Sequence, residues 1–260
     1  MVPSGTYSFK NLLMISKTIK SVIQKIAQSM GYHVLSKNSI AGDMVLSLSG
    51  IRDRGLKVES ILDVGANTGE WSQMASGIFP NAEFFLIEPQ IEMKAPIEAF
   101  FKNQRGNWIL GGAGSTSGEL LLTVWDDHAG SSFLVPEHGE SGGDKEQRKV
   151  PVYTVDELVA SGKIKIPTLC KLDVQGFELE VLKGASSIFG KTEVFILEVG
   201  LFKFLPNQPL IEEVIAFMKE RGYVIYDFPG FSNRPLDGAL GQIDICFAKE
   251  DGYLRASHQW

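Results

Sequence analysis

Ile61-Leu62-Asp63-Val64-Gly65-Ala66-Asn67-Thr68-Gly69, followed by Phe84-Phe85-Leu86-Ile87-Glu88-Pro89, is the stretch that decides the fold. Apolar residues that run into a turn with two glycines predict a buried parallel strand. Its carboxyl end lets a ligand approach the backbone closely, because glycine has no Cβ. The second apolar run predicts the next strand, which ends at Glu88. Since ligands of open α/β sheets bind at such strand ends, the stretch predicts a ligand site.

The acid and the glycine spacing indicate which ligand binds there. Glu88 lies 19 residues after Gly69 (88 − 69), where acids of nucleotide sites hydrogen-bond the ribose hydroxyls. Dinucleotide cofactors favour G-x-G-x-x-G, but Asn67 replaces the second glycine, and Asp63 suits a cationic ligand better than a diphosphate. The pattern therefore favours S-adenosylmethionine over a dinucleotide or a plain βα turn. The predicted cofactor-binding residues of this unit are Asp63, Gly65, Ala66, Asn67, Thr68, Gly69 and Glu88.

Length and composition limit the class of protein. The chain has 260 residues, 44% of them hydrophobic, which is enough for one α/β core. We expect an N-terminal helical appendage over residues 1–54 and one main domain over residues 55–260. The formal net charge of −6 argues against a nucleic-acid substrate, because proteins that bind nucleic acids neutralise phosphates with Lys and Arg. Cys170 and Cys246 are interpreted as buried reduced thiols of a cytoplasmic protein.

The beginning of the chain is basic. Residues 1–42 contain no Asp or Glu but five lysines, and apolar residues recur at helical spacing up to Gly31. This pattern predicts an amphipathic helix. The helix either lies on an anionic membrane surface as a peripheral contact or packs its apolar stripe on the rest of the protein, which is the favoured alternative. Without a membrane-spanning run or a secretory signal, we expect a cytoplasmic location.

Helices are predicted over residues 43–57, 70–79 and 91–102, and a third strand over 108–110. Gly112 belongs to a glycine cluster just after that strand, which fits a loop over the adenine of the cofactor or a simple turn. Residues 126–149 are polar and contain His128. They predict an irregular loop, either a lid that faces the substrate or a mobile insertion.

Two later strands are predicted to end at acids. One covers residues 167–173 and ends at Asp173; the other covers 194–197 and is followed by Glu198. If these strands are neighbours, both acids point into the crevice that holds the cofactor. The helix between them, predicted over 177–189, carries Glu178 and Glu180 in its first turn, where acids offset the helix dipole.

The last part of the chain predicts a helix over 209–221 and a hairpin from the runs 223–228 and 243–248, which close the sheet. The loops between these elements carry three phenylalanines that line an acceptor pocket or fill the core, and core is favoured. They are Phe202, Phe204 and Phe231.

One run carries a family resemblance. Residues 171–185, KLDVQGFELEVLKGA, resemble the K-x-D-x-[EQ]-G-x-E-x-E-x-L-x-G-A signature of the FkbM-type methyltransferases. Thr154-Val155-Asp156-Glu157-Leu158 is similar to their T-[LV]-D-[DE]-L segment, and Ser115 replaces the acid of their A-[VL]-G-D segment. The resemblance covers roughly residues 55–250. It implies a Rossmann-like α/β fold with the seven-stranded class I methyltransferase sheet, helices on both faces, and S-adenosylmethionine-dependent O-methylation of a sugar or natural-product hydroxyl.

Methyl transfer to a weakly nucleophilic hydroxyl calls for an aligned acceptor and a base. Asp173 is the predicted base and also a cofactor-binding candidate, and His128 is the second choice. Alternatively, Asp173 caps the Gln175-Gly176 turn, or Asp173 and Glu198 bind Mg²⁺. Two carboxylates make a thin metal shell, so Mg²⁺ is possible but not expected.

The predicted partner is a hydroxylated small-molecule or glycan acceptor. The alternative functions are a non-catalytic protein that binds S-adenosylmethionine and an NAD-dependent oxidoreductase.

Overall fold

A computed structural model describes residues 42–126, 128–134 and 146–259, together with Val22 and Ile26. The chain divides into two compact units, residues 1–40 and 41–260. Apart from the helical Val22 and Ile26, the predicted basic helix lies outside the described residues. The predicted boundary at residue 54 stays a prediction. Within the described part of the chain, no helix has the length and apolar character that crossing a membrane requires.

The strands form a large and a small sheet. In chain order they are β1 (Ser60–Val64), β2 (Glu83–Glu88), β3 (Gly106–Leu110), β4 (Gly112–Ala113), β5 (Gly118–Val124), β6 (Glu146–Tyr153), β7 (Leu169–Leu172), β8 (Val194–Gly200), β9 (Tyr223–Asn233) and β10 (Leu240–Lys249). The large sheet has seven strands in the order β3-β2-β1-β7-β8-β10-β9. The neighbouring strands β3, β2, β1, β7 and β8 are parallel, and β10 is antiparallel to both of its neighbours. The predicted Rossmann-like α/β fold with a seven-stranded class I methyltransferase sheet is confirmed.

Helices cover both faces of the large sheet, as predicted. They are α1 (Met44–Asp53), α2 (Glu70–Ile78), α3 (Lys94–Phe101), α4 (Val155–Ala160), α5 (Glu178–Lys183) and α6 (Ile211–Glu220). Because successive strand residues point to opposite faces, Ile61 packs in a cluster with α1, α2 and α3, while Leu62 packs with α4, α5 and α6. Burying each such side chain contributes about 2 kcal/mol. Two apolar layers therefore hold the sheet rigidly between them.

The order of the strands creates a crevice between β1 and β7. The chain moves outward from β1 through β2 to β3 and later returns to place β7 on the other side of β1. Ligands of open α/β sheets bind at the carboxyl ends of strands where the order reverses in this way. The two strand ends approach closely: a Cβ added to Gly65 would lie only 1.9 Å from the carbonyl oxygen of Asp173.

The small sheet, in the order β4-β6-β5, was not predicted. Residues 126–149 were expected to be irregular throughout, and this is wrong for residues 146–149, which begin β6. Val150 and Val152 of β6 are buried, but residues 146, 147 and 149 are exposed. A strand end without a covered face carries polar residues and so has the composition of a loop.

The helix predicted over residues 177–189 is interrupted. It consists of α5 followed by the 3₁₀ helix Ser186–Ile188, with Gly184 as the C-terminal cap of α5. A Cβ on Gly184 would lie 2.1 Å from the carbonyl oxygen of Gly114. The backbone after β4 therefore occupies the space beside the helix end, a contact that local sequence does not reveal.

Candidate active site

A cavity lies at the carboxyl ends of β1, β2, β7 and β8. It is lined by seven of the predicted site residues, Gly65, Asn67, Glu88, Gly112, His128, Asp173 and Glu198. Among the described residues around this cavity, the remaining predicted ones are not part of the lining; they are Asp63, Ala66, Thr68 and Gly69. The crevice predicted from the sequence is therefore present, and its walls come from these strand ends, from β4 and β5 of the small sheet, and from the loop that contains His128.

Glu88 ends β2 and is only 2% exposed. Its Oε2 accepts a hydrogen bond from the backbone N–H of Asn67 at 2.7 Å, and its Oε1 accepts one from the N–H of Gln90 at 2.8 Å. Burial raises the pKa of Glu88, although these two bonds oppose the shift. Each carboxylate oxygen has a second lone pair, so the side chain is held in place and can still accept bonds from a ligand.

Gln90, for which no role was predicted, connects the His128 loop to the end of β2 by hydrogen bonds. Its Nε2 donates to the carbonyl oxygen of His128 at 2.9 Å, and its Oε1 lies 3.0 Å from His128 Nδ1. Ser131 Oγ donates to the same Oε1 at 3.2 Å. His128 itself adopts the left-handed conformation, with φ of 59°. Three contacts to one amide therefore hold this predicted substrate-facing loop over the cavity.

Asp63 lies beneath the cavity surface. Its side chain is completely buried, and Oδ2 accepts a hydrogen bond from Ser72 Oγ at 2.6 Å. Asp63 and Lys171 are register partners on β1 and β7, and Lys171 Nζ lies 3.8 Å from Oδ1. Burial raises the pKa of Asp63, against the effect of the Lys171 ammonium. The predicted contact of Asp63 with a cofactor stays a prediction.

Lys171 links this buried acid to the predicted base. Its Nζ donates to Asp173 Oδ2 at 3.0 Å and lies 5.6 Å from the centre of the Trp71 ring. Desolvation lowers the pKa of Lys171, but Asp173 and Asp63 outweigh it and raise the pKa, so the side chain remains an ammonium. Burial opposes the ionisation of Asp173, yet Lys171 lowers the pKa of that carboxyl below its usual range. The K-x-D spacing was the only sequence signal for this pair.

Gln175 connects Asp173 with Glu198. Its Nε2 donates to Asp173 Oδ1 and to Glu198 Oε2, both at 2.8 Å, and Gln242 Nε2 also donates to Glu198 Oε2 at 3.0 Å. The predicted proximity of Asp173 and Glu198 is thus present in the structure. Burial raises the pKa of Glu198, and the charges of Asp173 and Asp244 raise it further. Asp173 is therefore a carboxylate while Glu198 retains its proton.

Glu178 and Glu180 lie in the first turn of α5, as predicted. Glu178 also has a role that was missed, because its Oε1 accepts hydrogen bonds from the N–H groups of Val174 and Gly176, both at 3.2 Å. Its side chain is buried, and burial raises the pKa of Glu178 to about 7. Glu178 therefore holds the turn that carries Gln175.

The favoured core assignment of the loop phenylalanines is wrong for Phe204 and Phe231, which are 38% and 50% exposed. Phe204 lies in a loop, which lacks the periodicity that distinguishes a buried face from a surface. Phe231 lies at the exposed end of β9, which extends beyond the predicted run 223–228. The described residues contain no group of three or more His, Cys, Asp or Glu side chains arranged to hold a metal ion.

The charges of the cavity fit a cationic ligand. Glu88 and Asp173 face it, and its described lining residues include neither Lys nor Arg. A diphosphate would meet carboxylates here without a compensating cation, whereas an ammonium or sulfonium group would be attracted to them. The residues present therefore fit S-adenosylmethionine better than a dinucleotide.

Proteins of known class resemble the chain. The hexuronic acid methyltransferase AglP of Haloferax volcanii is 23% identical, over 79% of this chain and 97% of that protein. Methyltransferase sdnD of Sordaria araneosa is 30% identical, but the match covers only 48% of this chain and 59% of sdnD. The crystal structure of an FkbM methyltransferase from Methylobacillus flagellatus KT has a TM-score of 0.48 and 17% identity, covering 80% of this chain and 49% of that one.

A family model gives the assignment. The methyltransferase FkbM domain matches residues 63–225, which is more than half of the chain. The match begins at Asp63, includes Glu88, Asp173 and Glu198, and ends within β9. The chain therefore belongs to the FkbM methyltransferase domain family.

Proposed function

We propose that the protein is an S-adenosylmethionine-dependent O-methyltransferase that acts on a hydroxyl group of a sugar, a glycan or a natural product. The observation that carries the proposal is the Asp173 carboxyl group, bonded to Lys171 and Gln175, in the lining of a cavity that also contains Glu88. Such a site combines a place for a cationic methyl donor with a proton acceptor for the hydroxyl that attacks it.

The proposed cofactor contacts follow the lining of the cavity. Glu88 would accept hydrogen bonds from the ribose hydroxyls, and the Gly65 and Asn67 backbone would give the methionine part close access. Gly112 would contact the adenine. Asp63 acts from below through Lys171, and Ala66, Thr68 and Gly69 shape the turn. When bound, the cofactor supplies a methyl group activated by the positive charge on sulfur.

Asp173 supplies the base in this proposal. A hydroxyl oxygen that begins to bond to carbon acquires positive charge, and its proton becomes strongly acidic. A carboxylate with a lowered pKa can therefore accept that proton. Lys171 and Gln175 hold Asp173 at a fixed angle, which contributes to catalysis by positioning. Glu198, whose pKa is raised, is a neutral neighbour of Asp173 in this proposal, and His128, which also lines the cavity, is the alternative base.

The class of acceptor is supported by the relative AglP, a hexuronic acid methyltransferase that this chain covers almost completely. A sugar or glycan acceptor is therefore proposed first, and a natural-product hydroxyl second.

Calorimetry and a turnover assay test this function. We expect S-adenosylmethionine and S-adenosylhomocysteine to bind in the micromolar range, and a panel of glycosides, uronosides and polyketides to contain a methyl acceptor. Binding of the cofactor without transfer to any member would favour a non-catalytic binding protein. Binding of NAD in place of S-adenosylhomocysteine would favour an oxidoreductase. Repeating the assay with EDTA tests the Mg²⁺ alternative.

A further inference from the structure

A second cavity of about 520 Å³ adjoins the first and has no role in the function described so far. Its volume is within the range of small-molecule sites. Gln175 lines both cavities. Gln175 Nε2 is bonded to Asp173, which lines the first cavity, so one side chain separates the second cavity from the proposed base. The shared wall continues along the His128 loop, whose neighbours Trp125 and Gly130 face the second cavity.

The lining of the second cavity combines aromatic rings with planar polar groups. Its described lining includes Trp125 and Phe204 together with Gln175, Asn233, Arg234 and Gln242. These polar groups already have intramolecular partners, since Gln175 and Gln242 donate to Glu198, Asn233 donates to the carbonyl oxygen of Gly238, and Arg234 donates to Asp237. Their remaining oxygens and N–H groups can still bond to a ligand. A sugar ring satisfies both kinds of surface, because it has apolar C–H faces and a rim of hydroxyl groups.

Arg234 is held in position before any ligand arrives. Asp237 accepts from Nε at 2.7 Å and from Nη2 at 2.5 Å, and the guanidinium lies 4.1 Å from the centre of the Phe202 ring. Nη1 donates no hydrogen bond within the described residues. The side chain is therefore oriented at little entropic cost, with donors left for a ligand oxygen.

Phe204 and Arg234 form one wall of the cavity, because Gly241, which lies between them, has no side chain. A Cβ on Gly241 would lie 3.2 Å from the Phe204 ring and 3.3 Å from Arg234 Cβ. Phe204 is 38% exposed, so this large aromatic residue lies at the surface and does not belong to the core. An exposed aromatic ring beside a fixed guanidinium is a platform on which a ligand ring can stack.

We propose that the second cavity is the acceptor site and that it takes a pyranose ring, stacked on Phe204 and Trp125, bonded by Arg234, and directing one hydroxyl toward Asp173. This inference rests on the proposed function and narrows its acceptor to a carbohydrate. The acids around Asp173 do not select for a charged sugar. The site recognises the ring and its hydroxyl groups, which neutral and acidic pyranosides have in common.

Binding of two probes to the full chain tests the inference. Methyl glucopyranoside and methyl glucuronopyranoside are titrated against protein saturated with S-adenosylhomocysteine, by saturation-transfer NMR and calorimetry. We expect at least one to bind. Phe204→Ala should weaken that binding about tenfold, equivalent to one stacked ring, and leave the affinity for S-adenosylhomocysteine within about twofold. Arg234→Met should also weaken it, and more for the uronoside if the acid group meets the guanidinium.

Phe231→Ala is the matched control, because Phe231 is an exposed aromatic residue of β9 outside the described lining of either cavity. It should change neither affinity. The inference is overturned if S-adenosylhomocysteine binds but neither pyranoside does, or if Phe204→Ala and Arg234→Met leave pyranoside binding unchanged. The proposed function would survive both results. Failure of S-adenosylhomocysteine to bind would remove the proposed function and this inference with it.

Discussion

At the scale of single residues, the site depends on two neighbouring acids with different protonation states. Asp173 is ionised because the Lys171 ammonium lies 3.0 Å away. Glu198 keeps its proton because burial and the nearby charges of Asp173 and Asp244 oppose a further negative charge. One cation cannot neutralise all of these acids, and the Lys171 ammonium is bonded to Asp173, so the proton is favoured on Glu198.

Replacing each acid by its amide separates their roles. Asp173→Asn should lower the rate of methyl transfer by about a hundredfold or more, because it removes the proton acceptor. Glu198→Gln should cost about tenfold at most, because an amide N–H can replace the donated O–H. The measurement is the rate of S-adenosylhomocysteine formation, with cofactor affinity from calorimetry as the control. Equal losses in the two variants would contradict the assignment.

Glu178 makes stability depend on pH in an unusual direction. Its ordinary pKa is 4.5, and burial raises the pKa to about 7 in the folded protein. Between these values the unfolded chain releases a proton that the folded chain retains, so this residue lowers stability as pH rises through that window. Glu178→Gln keeps the acceptor for Val174 and Gly176 but cannot ionise. Urea unfolding at pH 5 and pH 8 should show the variant gaining stability relative to the native protein at the higher pH. Parallel pH profiles would show that Glu178 does not titrate in this range.

The sequence predicted the site residues that are marked by a local pattern, and it missed those whose role depends on distant parts of the chain. Glu88 and Asp173 end apolar runs, and a run is readable without knowing its neighbours. Lys171, Gln90 and Gln175 were not assigned roles, because their partners come from other strands and loops. The same reason explains Asp63, whose position on β1 was predicted but whose burial against Lys171 depends on the pairing of β1 with β7.

At the scale of secondary structure, the cavity depends most on the glycine turn after β1. Gly65 has φ of 76°, and an added Cβ would meet the Asp173 carbonyl at 1.9 Å. Gly65→Ala therefore combines backbone strain with a clash against a neighbouring strand end. We expect a loss of more than about 4 kcal/mol in the free energy of unfolding, together with loss of cofactor binding.

Gly162 provides the matched control for that substitution. Its φ is 72°, but no atom lies within 4 Å of an added Cβ. Gly162→Ala should therefore cost only the left-handed strain, about 1–2 kcal/mol. Chemical denaturation of both variants measures the difference. Similar losses would mean that the approach of β1 to β7 is not the constraint described above.

Elements that contain an apolar run or an apolar stripe were predicted well, whereas the polar part of a strand was not. The strands β1, β2 and β7 are buried on both faces and read as apolar runs, and α2 has an inward stripe. By contrast, the first half of β6 is polar, and its identity as a strand depends on the ladder that it forms with β5. Pairing between distant segments is a tertiary effect that local composition does not encode.

At the scale of the whole molecule, the two apolar layers and the reversal of strand order between β1 and β7 make the crevice a property of the entire sheet. A ligand that binds there contacts residues from β1, β2, β7 and β8, which are far apart in the chain. Such a ligand binds only the folded protein, so it raises the free energy of unfolding by an amount set by its concentration relative to its dissociation constant.

This linkage gives a test that needs no acceptor. S-adenosylhomocysteine at one hundred times its dissociation constant should stabilise the protein by about 2.7 kcal/mol and raise Tm by about 5–10 °C. NAD should produce no such shift, because the described lining of the cavity has carboxylates and lacks Lys or Arg for a diphosphate. Glu88→Gln should reduce the shift, since an amide replaces one of the two acceptor oxygens offered to the ribose. Differential scanning calorimetry measures all three. A larger shift with NAD than with S-adenosylhomocysteine would reverse the assignment of the ligand, because only the ligand that fits the assembled strand ends can hold them together.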